Sequence, residues 1–318
     1  LVTKVITVYP AFPTKIQGLS IDQAGGFSAR LPESAIQYLA DDTAQTPNQI
    51  ACNLTLIPLD ELTLCRTGET ELIPTVVNWG DSHGLALIPL LDQFADREEA
   101  RVFHGARSQC LPLIGAEVYN GPDCVGFNAQ VFKQIEELHP DHVMLTGRWA
   151  FYIEGLENSG PDLGERPSWL MDEQTKSRTP EQARAVFARL LADTVDQLRG
   201  LGAEVWIVRQ VPEQLFVVPR RLAIGAQNGD DLNSLGRPAS DYWSRQRLIN
   251  EVIDSVIEDG VRAIDPAAVL CDPSRCRVYA DQHSLYKDGD HLSAYGAVWI
   301  EAAFVQLVDA LKLPPPAK

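Results

Sequence analysis

Residues 75–84 read TVVNWGDSHG, and this stretch decides the fold prediction. Its first part is almost entirely apolar, as expected of a strand buried within a parallel sheet. Gly80 and Gly84 then permit a tight turn from the strand into a helix. Such a turn exposes the Ser82 hydroxyl beside the backbone N–H groups at the helix N-terminus. The competing interpretation is that Asp81 or Ser82 merely caps that helix.

Strand-like and helix-like segments alternate from this stretch to the C-terminus. The predicted strands are residues 75–79, 101–104, 142–146, 204–209 and 261–264. The predicted helices are residues 85–95, 128–138, 180–198, 240–258 and 294–311. Five strands interleaved with helices predict an α/β fold, a three-layer sandwich around a five-stranded parallel sheet. Ligands of such sheets bind outside the carboxyl ends of the strands, where Ser82 lies.

The first 70 residues do not follow this pattern. They contain five prolines and a Gly-Gly pair but few long periodic segments. We expect residues 1–70 to be an irregular extension or linker that packs on a main domain formed by residues 71–318. Residues 54–64 are candidates for short strands within it. The Gly- and Pro-punctuated stretches 151–176 and 220–238 are either loops over the site or surface excursions.

The composition favours a soluble domain that acts on a neutral ligand. Of the 318 residues, 45% are hydrophobic, which is enough for a sizeable core. The net charge of −16 argues against nucleic acid and anionic lipid as partners, although it also suits a purely solubilising role. The chain opens on Leu1 with neither an initiator Met nor an apolar leader. We therefore expect a piece of a longer protein or a processed form.

The six cysteines fall into three pairs that are local in sequence. An even count in such pairs indicates disulfides and an oxidising compartment. Because six cysteines allow fifteen pairings, pairing between neighbours is a hypothesis. Zinc is the alternative, and the lack of a Cys-x-x-Cys motif or nearby Cys/His quartet disfavours it. The predicted disulfides join Cys52 to Cys65, Cys110 to Cys124, and Cys271 to Cys276.

A second polar motif, Asp-Gly-Asp-His at residues 288–291, stands just before the last predicted helix. An aspartate three residues before a histidine can bind one imidazole nitrogen while the other nitrogen faces a serine. Ser82, His291 and Asp288 would then be nucleophile, base and orienting carboxylate in acyl transfer through a serine ester. We expect Asp290 to point elsewhere and an ordinary imidazole to give a pH midpoint near roughly 6–7. The alternative is a surface turn that only caps the last helix.

Together, the two motifs resemble the SGNH, or GDSL-type, hydrolase superfamily. The strings GDSH at 80–83 and DGDHLSAYGA at 288–297 are similar to one branch of it. That branch is the periplasmic SGNH domain fused to acyltransferase family 3 membrane proteins, which O-acetylate bacterial surface sugars. Three further stretches resemble the same branch: residues 108–113, 143–150 and 210–213. The resemblance spans about residues 72–312 and implies the SGNH, flavodoxin-like sandwich.

The resemblance also implies a function, partners and a location. The domain would pass an acyl group, typically acetyl, to a hydroxyl of a surface polysaccharide such as lipopolysaccharide O-antigen. The acyl donor would arrive through an N-terminal transmembrane acyltransferase domain of the same protein, so this domain would bind no cofactor or metal itself. It would be the periplasmic part of an inner-membrane protein. A carbohydrate acetyl esterase and a non-catalytic carbohydrate-binding relic stay open as alternatives.

The oxyanion hole departs from the superfamily pattern. Most members carry a Gly-x-Asn-Asp block after the third strand, whereas this chain has Gly-Arg-Trp at residues 147–149. The Arg148 guanidinium and the Trp149 indole N–H are the alternative donors in that block. The backbone N–H of Ser82 is the most secure member of the hole. The remaining oxyanion or substrate-binding candidates are Gly105, Ser108 and His83.

Overall fold

The computed structural model describes residues 32–68, 74–97, 100–155, 168–175 and 177–312. Two expectations lie partly outside the described residues: the one for the extension, at residues 1–31, and the one for the loop 151–176, at residues 156–167 and 176. The strands are β1 (Cys65–Thr67), β2 (Thr75–Gly80), β3 (Arg101–Ala106), β4 (Glu117–Val118), β5 (His142–Thr146), β6 (Leu170–Met171), β7 (Glu204–Val208), β8 (Val261–Ile264), β9 (Tyr279–Ala280) and β10 (His283–Ser284).

A six-stranded sheet in the order β1-β3-β2-β5-β7-β8 forms the centre of the structure. Five of its strands pair in parallel, as the sequence predicts. The sixth, β1, pairs antiparallel with β3 at one edge. It lies just beyond residues 54–64, where we expected short strands and where the structure instead has a 3-10 turn, Leu54–Leu56. The order of the sheet brings the carboxyl ends of β2, β5 and β7 together.

Helices cover both faces of the sheet, which confirms the α/β sandwich. They are α1 (Glu33–Asp41), α2 (Pro47–Ala51), α3 (Ser82–Ala86), α4 (Ile88–Asp96), α5 (Cys124–Leu138), α6 (Trp149–Glu154), α7 (Pro180–Gly200), α8 (Val218–Asn228), α9 (Ala239–Ser255), α10 (Ala267–Leu270), α11 (Ala294–Trp299) and α12 (Val305–Leu311). The predicted helix 85–95 is divided into α3 and α4 because Pro89 has no N–H to continue the first helix. The excursion predicted at 220–238 contains most of α8.

Successive residues of a strand point to opposite faces of the sheet, and their side chains pack into two hydrophobic cores, one on each face. In β5, Val143 and Leu145 pack in the core that includes α5, α7 and α9. Met144 lies between them in sequence and packs in the other core, with α4, α8 and the C-terminal helices. Each such fully buried side chain stabilises the fold by about 1.5–3 kcal/mol. The two cores fix the strand ends from which the site is built.

Residues 32–68 are more regular than their prolines indicate. Pro32 and Pro47 stand at helix starts, where a missing N–H costs no hydrogen bond. Tyr38 of α1 is buried in the second core. The carboxylate of Asp41 accepts the Ser284 backbone N–H at 2.6 Å. These contacts attach α1 to β10, directly before the 288–291 motif.

The C-terminal run Ala294–Leu311 is long and apolar enough to cross a membrane by length and composition. In the structure this run is divided into α11, a 3-10 segment and α12. Ile300, Phe304 and Leu307 of this run are fully buried in the second core, and Trp299 packs partly buried against it. The run is therefore packed as part of the globular domain.

Three disulfides are present, and they join the cysteines in the predicted neighbour pairs. Replacing Cys110 and Cys124 with alanine should lower the free energy of unfolding by about 3 kcal/mol, because that disulfide restricts a long loop in the unfolded chain. The Cys271–Cys276 pair closes a shorter loop, with a sequence separation of 5 instead of 14, and its removal should cost about 2 kcal/mol. Urea unfolding measures both losses. Free thiols at these positions in non-reducing peptide maps of the oxidised protein would contradict the pairing.

Candidate active site

The serine turn is held in place by backbone packing and an aspartate cap. A Cβ on Gly80 would lie 2.6 Å from the Thr146 carbonyl oxygen, so the strand end accepts only glycine there. Asp81 is the N-cap of α3, and its Oδ1 accepts the His83 backbone N–H at 2.8 Å. Ser82 is the first helical residue and stays half-buried. The cap is thus Asp81, and the Ser82 hydroxyl is left for other contacts.

The 288–291 loop brings a histidine and an aspartate to this hydroxyl. His291 Nε2 lies 2.7 Å from Ser82 Oγ, and His291 Nδ1 lies 2.8 Å from Asp288 Oδ2. The other oxygen of Asp288 accepts the backbone N–H groups of Asp290 and His291 at 2.9 and 2.8 Å. These two bonds fold the loop tightly around the carboxylate. The structure therefore joins the three predicted residues in one Ser–His–Asp chain of hydrogen bonds.

Asp290 does not point away from the site, and this expectation was wrong. Its Oδ2 lies 3.5 Å from His291 Nδ1. The same oxygen lies 3.2 Å from His83 Nε2 and 3.3 Å from Arg148 Nε. The tight turn around Asp288 reverses the chain direction, so adjacent residues do not face opposite sides as they would in a strand. Two carboxylates consequently approach one imidazole.

Arg148 connects the strand ends around the site. Its backbone N–H donates to Asp81 Oδ2 at 2.9 Å, and its Nε donates to Glu213 Oε1 at 2.7 Å. The guanidinium carbon lies 4.6 Å from the centre of the Phe151 ring. We predicted no role for Glu213 from the sequence, although it lies in residues 210–213, one of the stretches similar to the SGNH branch. The available signal was a glutamate shortly after an apolar strand; the structure shows that it is buried, where a charge needs a cationic partner.

Two of the proposed oxyanion donors are already engaged. The Trp149 indole N–H donates to the Val208 carbonyl oxygen at 2.9 Å, deep in the core, which excludes it as an oxyanion donor. The Ser108 backbone N–H donates to Thr55 Oγ1 at 3.1 Å. Arg148 faces Glu213 and Asp290 through its Nε, as described above. None of these bonds was visible in the sequence, because each partner lies on another element.

Gly105 and His83 have other roles in the structure. Gly105 lies inside β3 and not in the loop after it, and its Cβ would lie 2.8 Å from Leu64 Cδ2 and 2.9 Å from Val131 Cγ1. Close packing therefore requires this glycine. His83 is buried, with its Nε2 against Asp290. The Ser82 backbone N–H, in the first turn of α3, stays a prediction for the oxyanion hole.

The electrostatic environment of His291 differs from the sequence expectation. Burial alone would lower the pKa of His291, but the carboxylates of Asp290 and Asp288 outweigh it and raise this pKa to about 9. Burial would likewise raise the pKa of Asp288, but the His291 charge lowers it. The pH midpoint of acylation is therefore expected to lie above the roughly 6–7 of an ordinary imidazole.

Among the described residues, one group has metal-ligand atoms close together. The ligand atoms of His83, Asp290 and His291 lie within 4.8 Å of one another. Arg148 Nε lies 3.3 Å from Asp290 Oδ2, within the same carboxylate. The positive guanidinium opposes a cation at that oxygen, so the group fits an ion-pair cluster better than a metal site.

The fold and this geometry define a class of α/β domains with a serine after the first parallel strand and an Asp-x-x-His near the C-terminus. The chain belongs to the family of SGNH domains fused to AT3 domains, whose sequence model matches residues 51–306. No curated protein sequence matches the chain.

Solved structures with the same fold show little sequence identity. The periplasmic domain of a lipopolysaccharide acetyltransferase from Salmonella ser. Paratyphi A is similar with a TM-score of 0.55 and 12% identity, over 88% of this chain and 98% of that chain. TesA has a TM-score of 0.42 and 12% identity, over 74% and 99% of the two chains. A GDSL-like lipase from Bacteroides thetaiotaomicron has a TM-score of 0.42 and 11% identity, over 74% and 88%. At these identities the similarity shows the fold alone.

Proposed function

We propose that this domain is an O-acyltransferase that carries an acyl group, in the simplest case acetyl, on Ser82. The observation that carries the proposal is the hydrogen-bond chain from Ser82 Oγ to His291 Nε2 and from His291 Nδ1 to Asp288, with distances of 2.7 and 2.8 Å. A serine with a base and an orienting carboxylate in reach is equipped to form an ester. Membership of a family fused to AT3 domains supports transfer as the outcome.

The two half-reactions use the same three residues. In the first, His291 Nε2 takes the Ser82 proton while Oγ attacks the acyl carbonyl carbon, and the leaving group departs with that proton. In the second, a sugar hydroxyl gives its proton to His291 Nε2 and attacks the acyl-serine carbonyl. The C–O bond to Ser82 breaks, and Oγ recovers the proton. Asp288 stabilises the imidazolium in both steps.

The same proposal includes partners and a location. The acyl donor would reach Ser82 through a transmembrane acyltransferase domain, which the family description supports. The acceptor would be a surface polysaccharide, since the similar Salmonella domain belongs to a lipopolysaccharide acetyltransferase. Three disulfides suit the oxidising periplasm. No cofactor is needed for the chemistry of Ser82, His291 and Asp288.

The rate of ester formation should rise with pH because only neutral His291 accepts the serine proton. A pKa of about 9 leaves about one hundredth of the imidazole neutral at pH 7. The acylation rate should therefore increase roughly tenfold per pH unit from 6 to 8 and level off above about 9. Stopped-flow release of p-nitrophenol from its acetate ester measures this profile. A plateau already reached at pH 7.5 would show that the carboxylates do not control this base.

Transfer and hydrolysis differ only in the acceptor, so the decisive experiment varies the acceptor. The domain would be supplied with p-nitrophenyl acetate and bacterial O-antigen oligosaccharides, and the acetylated sugar would be quantified by mass spectrometry. A transferase should form acetyl-sugar in proportion to acceptor concentration, and Ser82→Ala should not. Release of acetate at an unchanged rate, with no acetyl-sugar at any concentration, would instead establish an esterase.

A further inference from the structure

The carboxylate that is better buried beside His291 is Asp290 and not Asp288. The Asp290 side chain is 11% exposed, whereas that of Asp288 is 37% exposed. Both reach the same ring atom, His291 Nδ1, at 3.5 and 2.8 Å. The imidazole thus has a short hydrogen bond to the exposed carboxylate and a longer contact to the buried one. A Ser–His–Asp mechanism requires only one of them.

Asp290 is held in place by two side chains from other elements. His83 Nε2 and Arg148 Nε lie 3.2 and 3.3 Å from Asp290 Oδ2. Arg148 is in turn fixed by Glu213 at 2.7 Å and by the Phe151 ring. Burying a carboxylate costs several kcal/mol of folding free energy unless it is paired and hydrogen-bonded. His83 and Arg148 offset this cost for Asp290. His83, Arg148 and Glu213 follow three different strands, β2, β5 and β7. The sheet therefore fixes the position of the Asp290 carboxylate.

We propose that Asp290 is a second positioning carboxylate for His291, held by His83 and Arg148, which orients the ring together with the more exposed Asp288. This inference rests on the proposed function, because it takes His291 as the base. Asp288 is more exposed to solvent and has only the loop backbone and His291 as described hydrogen-bond partners. Asp290 is farther from His291 Nδ1 but is better shielded from solvent and has two side-chain partners of its own.

The charges around His291 are consistent with this role. The charged and titratable groups that face His291 or its two carboxylates are Asp288, Asp290, Lys287, His83, Arg148 and Asp42. Asp42 acts indirectly, through Asp288. Removing either carboxylate should therefore destabilise the imidazolium and lower the pKa of His291.

The test compares Asp288→Asn, Asp290→Asn and the double variant. If Asp290 shares the positioning, Asp288→Asn should lower the acylation rate by only about 10–100-fold, well short of the roughly 10⁴-fold loss seen when a sole triad carboxylate becomes an amide. Asp290→Asn should cost about tenfold, and the double variant about 10⁴-fold, more than the product of the single losses. The chromogenic acetyl ester gives these rates, which are compared on the plateau above about pH 9, where the lower His291 pKa of a variant does not increase the fraction of neutral base.

A second readout does not depend on activity. NMR titration of the His291 ring carbons in the isotope-labelled protein reports its pKa directly. In Asp288→Asn this pKa should stay above the ordinary value of about 6.5, because Asp290 still faces Nδ1. In Asp290→Asn it should fall by about one unit or more. If Asp290→Asn fails to fold, the His291 pKa in Asp288→Asn is sufficient: an ordinary value there would contradict a contribution from Asp290.

Asp281→Asn is the matched control, because Asp281 is exposed and its carboxylate accepts the Tyr295 hydroxyl instead. It should leave the rate and the His291 pKa unchanged. An unchanged His291 pKa in Asp290→Asn, or an Asp288→Asn loss as large as that of the double variant, would overturn the proposal. Failure of the proposed function is distinguishable: wild type would then form no acyl-serine, while the NMR titration would still read the Asp290 contact.

Discussion

Replacing Ser82 with alanine should remove nearly all acyl-enzyme formation while leaving the fold intact. Loss of the nucleophile in a Ser–His–Asp hydrolase lowers the rate by about 10⁶-fold. The fold should survive because Asp81, and not Ser82, caps α3. Ser82 is half-buried, so the lost hydroxyl leaves no closed cavity. Thermal unfolding within a few degrees of wild type would establish that folding is preserved.

Labelling with a fluorophosphonate probe and ester turnover together measure this effect. Wild type should label at a single site, and Ser82→Ala should not label. Ser240→Ala is a suitable control, since Ser240 is an exposed serine on α9 whose hydroxyl contacts only Asp241 among the described bonds. Activity above a small fraction of wild type in Ser82→Ala protein free of contaminating esterase would contradict the nucleophile assignment.

The parallel part of the fold was predictable because buried strands carry their signal in consecutive apolar residues. The run 75–80 is buried throughout in the structure, as its composition indicates. The edge strand Cys65–Thr67 was not predictable, because it has only three residues and one exposed face. Its pairing with β3 depends on tertiary contacts and on the disulfide that anchors it.

Much of the site follows from short-range rules, and the errors have physical causes. The Asp-x-x-His spacing placed Asp288 beside His291 because both lie in one turn. Ser293 caps α11 through its Oγ, which accepts the Gly296 backbone N–H. The loop before this helix therefore provides both a helix cap and the Ser–His–Asp arrangement. Asp290 was misplaced because its position depends on His83 and Arg148, which come from distant elements. Trp149 was misassigned for the same reason, since its partner is a carbonyl of β7.

Replacing His291 with alanine should cost as much as losing the serine itself. The two residues act as a unit, since the Ser82 proton has no other basic acceptor placed as closely as Nε2, at 2.7 Å, among the described residues. The double variant Ser82→Ala/His291→Ala should therefore be no slower than either single variant. Losses that multiply in the double variant would show that the two residues act separately.

Added imidazole should partly restore the His291→Ala variant. The His291 side chain is 18% exposed, so the vacated space opens to solvent, and Asp288 and Asp290 both remain to hold a ring nitrogen. Acylation rates measured against imidazole concentration should rise and saturate, with more rescue above pH 7 because neutral imidazole is the active form. His139→Asn is the control: His139 ends α5 in the left-handed region, which asparagine tolerates, and it should keep full activity without imidazole. Equal rescue of Ser82→Ala by imidazole would show that imidazole alone cleaves the ester, and the assignment of His291 as the base would lose its support.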